Sequence, residues 1–349
     1  MKGLLARFAT ALLGASLILL VVQGAPTSVT ASGRAPSASV VAQARANFIK
    51  DMSSHAVNVG KDWVSPGAKH GVAPGGKRDG AAKTANGTVT LTSSANWGGY
   101  ADAETGSSTV SKVSGTWIMP AVRCLPRPYQ NSDAFLADWV GIDGFNDGTV
   151  EQLGSATQCF EGVEYYYVWY EMYPQGTVEE GTTACINDNV NCPRPGDLIS
   201  ASVTVTSAGS GENNYVLALT DHSRPQESFS TTQQCAADTC ADSSAEWIIE
   251  RPAVAPPFGV QILPLADFTQ SFFTRAGLVS GGQSTSIQGF GGGSVNDITM
   301  QDDTASYDLA CVDQPSPPAS QLLTTDPTAC PVATPFRGGG FETTWDASF

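Results

Sequence analysis

An all-β sandwich or barrel is the fold class that this chain predicts, on three observations. From Val89 onward, apolar residues recur at every second position in ten or more short runs, which is the period of strands. Gly, Asn, Asp and Pro punctuate those runs, in a chain with 36 glycines and 21 prolines, and these residues favour turns. Helix-period segments are scarce outside the N-terminal part. At 349 residues, 41% hydrophobic and 15% charged, the chain has apolar surface for a substantial core in one large or two ordinary domains.

Residues 1–25 read as a secretory signal peptide. Lys2 and Arg7 precede the apolar run 11–22, and small residues follow at Gly24 and Ala25; the run is too short for a spanning helix. The mature protein is therefore expected to be secreted, extracellular and free of the membrane. Residues 26–88 read as a basic, partly helical propeptide and linker. Segment 37–57 has helical spacing, with Val41, Ala44, Phe48 and Met52 near one face. Segment 64–90 is rich in Gly, Ala and Lys, the composition of a protease-accessible linker, and maturation is expected there.

Charge divides at the same place. Residues 1–89 hold ten Lys/Arg and three acids, a net +7; the remainder holds eight and thirty, a net −22. A basic leader before an acidic body is expected to be held to it electrostatically, as an intramolecular inhibitor or chaperone that acidification loosens. The alternative is an unattached basic tail. So acidic a body argues against nucleic acid as a partner. With few cations it would suffer little self-repulsion once its carboxyls are protonated, which is compatible with acid stability.

Residues 89–349 form the β body. Its strand-like runs are TVTLTSSANWGGYA, STVSKVSGTWIMPAV, DAFLADWVGI, EYYYVWYEMY, DLISASVTVTS, NYVLALTD, AEWIIERP, DFTQSFFTRAG, SVNDITMQD and FETTWDAS. Residues 307–340, with clustered prolines and two cysteines, read as a disulfide-stapled loop before a last strand at 341–346. In an exported chain, eight cysteines imply disulfides. Proximity suggests Cys185–Cys192, Cys235–Cys240 and Cys311–Cys330, which leaves Cys124–Cys159. No Cys-x-x-Cys occurs, so no metal site is expected.

One run stands out for its composition. At strand period, Tyr165, Tyr167, Trp169, Glu171 and Tyr173 face one way, and Tyr166, Val168, Tyr170 and Met172 the other. An aromatic face with one carboxylate suits the wall of a cleft that grips a polymer. It equally suits a sandwich-core strand with its glutamate at an edge.

The chemistry can be narrowed by elimination. His55 and His70 lie in the leader, so the body has only His222, and no Gly-x-Ser-x-Gly elbow supports a Ser–His–Asp triad. No phosphate-binding loop or dinucleotide fingerprint occurs. With the cysteines paired, hydrolysis must rest on carboxylates and amides.

Six motifs then come in order: SSANWGGY (93–100), WVGIDG (139–144), Glu151-Gln152-Leu153-Gly154, WYEMYP (169–174), SAEWIIE (244–250) and LADF (265–268). Together they resemble the glutamic peptidases, or eqolisins, of the bacterial secreted type, over residues 93–305. The resemblance implies a concanavalin-like antiparallel β-sandwich of two bent, roughly seven-stranded sheets, with the substrate cleft on a concave face. It implies a metal-independent endopeptidase that acts in acid on polypeptide substrates, without a cofactor; a monomer is expected.

It also implies a catalytic pair, Gln152 and Glu246. On the Glu-Trp-Ile strand, Glu246, Ile248 and Glu250 share a face while Trp247 and Ile249 oppose it. Ionised Glu246 would take a proton from water and later return it to the departing amine, and the Gln152 amide would donate to the tetrahedral oxygen. Trp139, Asp143, Trp169, Glu171 and Tyr173 match substrate-binding positions, expected to shape subsites and steady the pair. One departure stands against the family pattern. Where an acid is expected a few residues beyond the glutamine, this chain has Ser155-Ala156-Thr157, so specificity and pH optimum do not transfer. Two other readings stay open: a glycoside hydrolase pairing Glu246 with Glu171 or Asp143, and a lectin-like sandwich that binds carbohydrate without cleaving it.

Overall fold

The computed structural model describes residues 80–84, 87–104, 108–124, 134–160, 163–182, 185, 191–207, 213–235, 240–254, 261–268, 271–287, 294–301, 308–313 and 341–345. The signal peptide, nearly all of the leader and segment 314–340 lie outside them, as does the expected Cys311–Cys330 bridge.

The strands are β1 (Gly80–Thr84), β2 (Gly87–Ser94), β3 (Trp97–Ala103), β4 (Val110–Ile118), β5 (Val122–Arg123), β6 (Ala134–Ile142) and β7 (Val150–Phe160). There follow β8 (Val163–Tyr173), β9 (Val178–Glu180), β10 (Leu198–Ser207), β11 (Asn213–Asp221), β12 (Phe229–Gln234), β13 (Ser244–Glu250) and β14 (Ala253–Val254). The last are β15 (Gln261–Ile262), β16 (Asp267–Phe268), β17 (Ser271–Ser280), β18 (Gln283–Ser286), β19 (Ser294–Gln301), β20 (Asp308–Asp313) and β21 (Phe341–Trp345). The regular structure of the described residues is strand apart from a 3-10 turn at Pro225–Glu227, as the period-two runs predict.

One layer has the order β9-β8-β7-β6-β13-β3-β19-β2-β1, antiparallel except for the parallel pair β2 and β19. The other runs β12-β11-β10-β4-β17 and continues to β18 and β21. β20 pairs with both β21 and β19, so the ladder passes from one layer into the other. Such an arrangement is consistent with a sandwich.

The layers meet over a core in which Trp117, Val203, Tyr215, Leu217, Phe273 and Leu278 of one oppose Val140, Leu153, Val168, Met172, Trp247 and Ile249 of the other. Burying each large apolar side chain contributes about 1.5–3 kcal/mol. Buried indoles need acceptors, and here these lie in the opposite layer. Trp247 Nε1 donates to Ser114 O at 2.8 Å and Trp117 Nε1 to Ser155 Oγ at 2.9 Å. The Ser271 hydroxyl likewise donates to Asp138 across the layers.

The first layer is also covered on its other face. A second apolar cluster there joins Trp97, Phe135, Trp139, Tyr167, Trp169, Tyr173, Ile248 and Ile298. This explains why β3 and β6 are buried at every position although their sequences alternate. In β8, Tyr167, Trp169 and Tyr173 join this outer cluster while Val168 and Met172 join the interlayer core.

Three expectations need correction. A strand precedes the expected start of the β body: β1 pairs with β2 from Gly80↔Leu91 to Thr84↔Gly87, inside the segment read as a linker. The run TVTLTSSANWGGYA is two strands, because Ser94 Oγ accepts the backbone N–H groups of Asn96 (3.3 Å) and Trp97 (3.2 Å) and turns the chain. The segment read as a loop from 307 contains a strand, β20, which finds ladder partners on both β19 and β21. The bridges Cys124–Cys159, Cys185–Cys192 and Cys235–Cys240 are formed.

Candidate active site

The register of the first layer aligns one row across six strands. Asn296 of β19 pairs with Ala101 of β3, Ala101 with Glu246 of β13, and Glu246 with Gly141 of β6. Gly141 then pairs with Gln152 of β7, and Gln152 with Glu171 of β8. Residues paired this way point to the same face, here the one opposite the interlayer core. Strands lie about 4.8 Å apart, so Glu246 and Gln152 stand about 10 Å apart at their backbones with Gly141 between them. A Cβ at Gly141 would lie 2.8 Å from Trp139 Cζ3 and 3.2 Å from Gln152 Cβ. Only glycine leaves room for the Trp139 ring, which lies over this position between the two residues.

Glu246 is fully buried, and among the described residues no hydrogen-bond donor other than the Ser244 hydroxyl bears on its carboxyl. Burial pushes its pKa well above the ordinary glutamate value; the Ser244 hydroxyl opposes the rise, and Asp143, Asp147 and Asp102 add to it. Across the gap, Gln152 Nε2 donates to Glu171 Oε2 at 2.8 Å. That fixes the amide plane and leaves its second N–H and its Oε1 for another partner. Glu171 is pushed up to about 8, first by burial and then by Glu250, against the bond it receives from Gln152 and the influence of the Thr177 hydroxyl.

Asp143 is engaged with the segment ahead of β13. Its Oδ2 accepts the backbone N–H groups of Ala241 (2.9 Å) and Asp242 (2.8 Å), and its Oδ1 that of Ser243 (2.6 Å). Its backbone sits at φ 67°, a left-handed conformation that a non-glycine residue adopts at a cost. Asp147 extends the brace: its Oδ1 takes Gly144 N at 3.0 Å, and its Oδ2 the Ser243 hydroxyl at 2.6 Å. Asp143 therefore anchors the segment that leads into β13 and sets where Glu246 stands.

Residues 95–314 match the model of the peptidase A4 family. The chain belongs to that family. It is a glutamic endopeptidase by membership. A solved scytalido-glutamic peptidase, bound to a transition-state analogue inhibitor, is 21% identical with a TM-score of 0.51, covering 72% of this chain and 98% of that one. That likeness shows a shared fold. SCP-B, a member of the eqolisin family of peptidases in complex with the tripeptide Ala-Ile-His, is 20% identical, with a TM-score of 0.47 over 72% of this chain and 98% of its own. Aspergilloglutamic peptidase from Aspergillus niger is 20% identical, with a TM-score of 0.40 over 61% and 99%. No curated protein sequence matches the chain.

Trp139, Trp169 and Tyr173, expected at the site of this glutamic peptidase, lie on the same face. Trp139 pairs with Ile248 and Gly154, Gly154 with Trp169, and Tyr173 with Val150. Trp97 meets Trp139 edge to face, ring centroids 4.7 Å apart at 82°. Glu250 Oε2 accepts Trp139 Nε1 at 2.8 Å, and its Oε1 accepts Asn96 Nδ2 at 3.0 Å. Of Ser155-Ala156-Thr157, the stretch in which the family pattern led one to expect an acid, Ala156 lies on this face between Ala137 and Tyr167. Sequence reasoning did not single out Gly141, Asn96, Trp97, Glu250 or Thr177. The Glu246-x-x-x-Glu250 spacing on one strand face was a signal for Glu250; Thr177 left none.

Proposed function

We propose that this peptidase is a secreted, acid-acting endopeptidase that hydrolyses polypeptides with Gln152 and Glu246 as its catalytic pair. The observation that carries this reading is the row Glu246–Gly141–Gln152–Glu171, which sets a carboxyl and an oriented amide on either side of a strand position that carries no side chain of its own.

A water held between Glu246 and Gln152 Oε1 would donate to both. A hydrogen bond to a carboxylate favours its charged form, so the bound water offsets the burial that otherwise keeps Glu246 neutral. Ionised Glu246 takes one water proton as the water oxygen bonds to the scissile carbonyl carbon. The carbonyl π electrons move onto oxygen, where the free N–H of Gln152 stabilises the charge. Collapse breaks the C–N bond, and Glu246 returns its proton to the leaving nitrogen. Burial suits that second role, because a carboxyl with a raised pKa holds its proton until the amine needs it. Trp139, Trp169 and Tyr173 shape subsites on the face around the pair, Glu171 orients Gln152, and Asp143 positions β13.

Residues 1–25 serve as the signal for export, and the basic residues of the leader hold it to the acidic body as inhibitor or chaperone until acid releases it; the mature enzyme acts as a monomer. The glycoside-hydrolase alternative loses support on distance. Glu246 and Glu171 are three strands apart, about 14 Å at the backbone, with the Gln152 amide between them, while a glycosidase pair needs about 5–9.5 Å between carboxyls. Asp143 is committed to backbone N–H groups.

The test is cleavage of an unfolded protein substrate across about pH 2–7. Wild type should cut in acid. Gln152→Ala should lose about 10²–10³-fold in kcat, and Glu246→Gln nearly all activity. Cleavage that survives Glu246→Gln would sink the mechanism.

A further inference from the structure

We propose that Glu250 is a positioning residue for the reaction, acting through Trp139, whose ring it locks beside the gap between Glu246 and Gln152. The inference rests on the catalytic reading above. Glu250 stands on the face of β13 that also carries Glu246, four residues on, beyond Ile248. It does not reach the gap. Its Oε2 instead accepts the Trp139 indole N–H at 2.8 Å and its Oε1 accepts the Asn96 side chain at 3.0 Å. Asn96 is in turn fixed by the Ser94 hydroxyl, which donates to its Oδ1 at 3.1 Å. The carboxyl thus ties the indole of β6 to the turn between β2 and β3.

The far end of the same indole makes the consequence catalytic. Trp139 Cζ3 lies where it would contact a Cβ at Gly141 at 2.8 Å, and Gly141 is the residue between Glu246 and Gln152. The pyrrole end of the ring is pinned by Glu250, one edge is packed by Trp97 at 4.7 Å, and the benzo end lies over Gly141, between the catalytic pair. A ring released at its N–H can tip into that space or away from it. Displacements of about 1 Å at a reacting centre can cost about 10²-fold in rate.

A double-mutant cycle in the acid-treated full-length chain, with steady-state cleavage of a fluorogenic peptide, tests this. Glu250→Ala and Trp139→Phe should each lower kcat about 10- to 100-fold. The double variant should be no worse than the poorer single one, since both remove the same tie. Glu250→Gln retains an acceptor oxygen and should restore kcat to within a few-fold of wild type. Near-ultraviolet circular dichroism supplies a signature independent of turnover: the Trp97–Trp139 band should fade in Glu250→Ala and persist in Glu250→Gln.

Wild-type kcat in Glu250→Ala overturns the inference, as do losses that multiply in the double variant, which would mean that Glu250 touches substrate itself. If Glu250→Ala does not fold, the cycle is run with Glu250→Gln and Trp139→Phe. A Trp139→Phe enzyme with full activity then rejects the tie. Glu246→Gln in the same assay separates the two levels. Its survival rejects the catalytic pair, whereas an inactive Glu246→Gln beside a fully active Glu250→Ala rejects only the role of Glu250.

Discussion

Gln152 carries two amide protons and an oxygen with two lone pairs, and its chemistry depends on which of these its neighbours claim. Glu171 accepts one N–H at 2.8 Å, so the other N–H and Oε1 are left for a further partner. A neutral carboxyl and a carboxylate can both accept that bond, so orientation survives throughout the acid range even though Glu171 ionises only near pH 8. Removing the acceptor should free the amide to rotate. Glu171→Ala is expected to lower kcat about 10- to 100-fold with a smaller effect on KM, and Glu171→Gln to stay within a few-fold of wild type. Kinetics on a single peptide substrate decide between them, and equal losses in both variants would argue that the charge of Glu171 matters. At the same scale, Asp143 shows a side chain whose position in a motif suggests substrate contact but whose oxygens are used on three backbone N–H groups.

Among the elements, β6 sets the geometry of the site. It offers alternating small and large residues to the outer face: Phe135, Ala137, Trp139, Gly141. The glycine makes the gap and the tryptophan borders it. Gly141→Ala would push a methyl group against Trp139 Cζ3 and the Glu151 carbonyl at 3.3 Å. Overpacking of this kind typically costs about 1–3 kcal/mol. The activity loss should be larger than that stability loss implies, at least about tenfold in kcat, because the methyl group enters the reacting space. Gly148→Ala, where an added Cβ meets nothing within 4 Å, is the matched control and should change neither urea midpoint nor kcat. A Gly141→Ala enzyme as active as that control would show that the gap is not used.

At the scale of the whole molecule, the dominant feature is the number of carboxyls that folding makes neutral. Burial raises Asp102 to about 8, Asp138 to about 7 and Glu171 to about 8, with Glu246 and Glu151 also well above their ordinary values. In the unfolded chain such groups ionise near pH 4. Below that pH both states are protonated and the groups contribute nothing to the pH dependence. Above it the folded chain keeps protons that the unfolded chain has released, so stability falls as pH rises, levelling off only past about pH 7–8. Each group held neutral in this window contributes about 1.4 kcal/mol per pH unit to the decline. The thermal midpoint of the processed protein should therefore be highest at or below about pH 4 and drop steadily towards neutrality. A midpoint that climbs between pH 4 and 8 would contradict the burial of these carboxyls as charged-state penalties. Acid action and acid stability would then share one cause, a β body with thirty acidic and eight basic residues that folds around protonated carboxyls.

The sequence by itself determined the class of fold, the two faces of β8 and the shared face of Glu246, Ile248 and Glu250, because strand period is local and each follows from counting by two. It determined three disulfide pairings through proximity and the remainder, and it carried the ordered motifs that single out Gln152 and Glu246. Tertiary structure alone decided what lies across from what. Gly141 gains its meaning only from a register that sets it between those two residues on neighbouring strands, and Glu250 from an indole one strand away. Asp143 could look like a subsite residue until the loop at 241–243 closed on it. The burial of both faces of the first layer was hidden for the same reason: alternation reports which way a side chain points, while the second apolar cluster on the outer face is made by residues distant in the chain. Local spacing fixes direction, and only packing between strands fixes neighbours, dielectric and the proton affinity of a buried carboxyl.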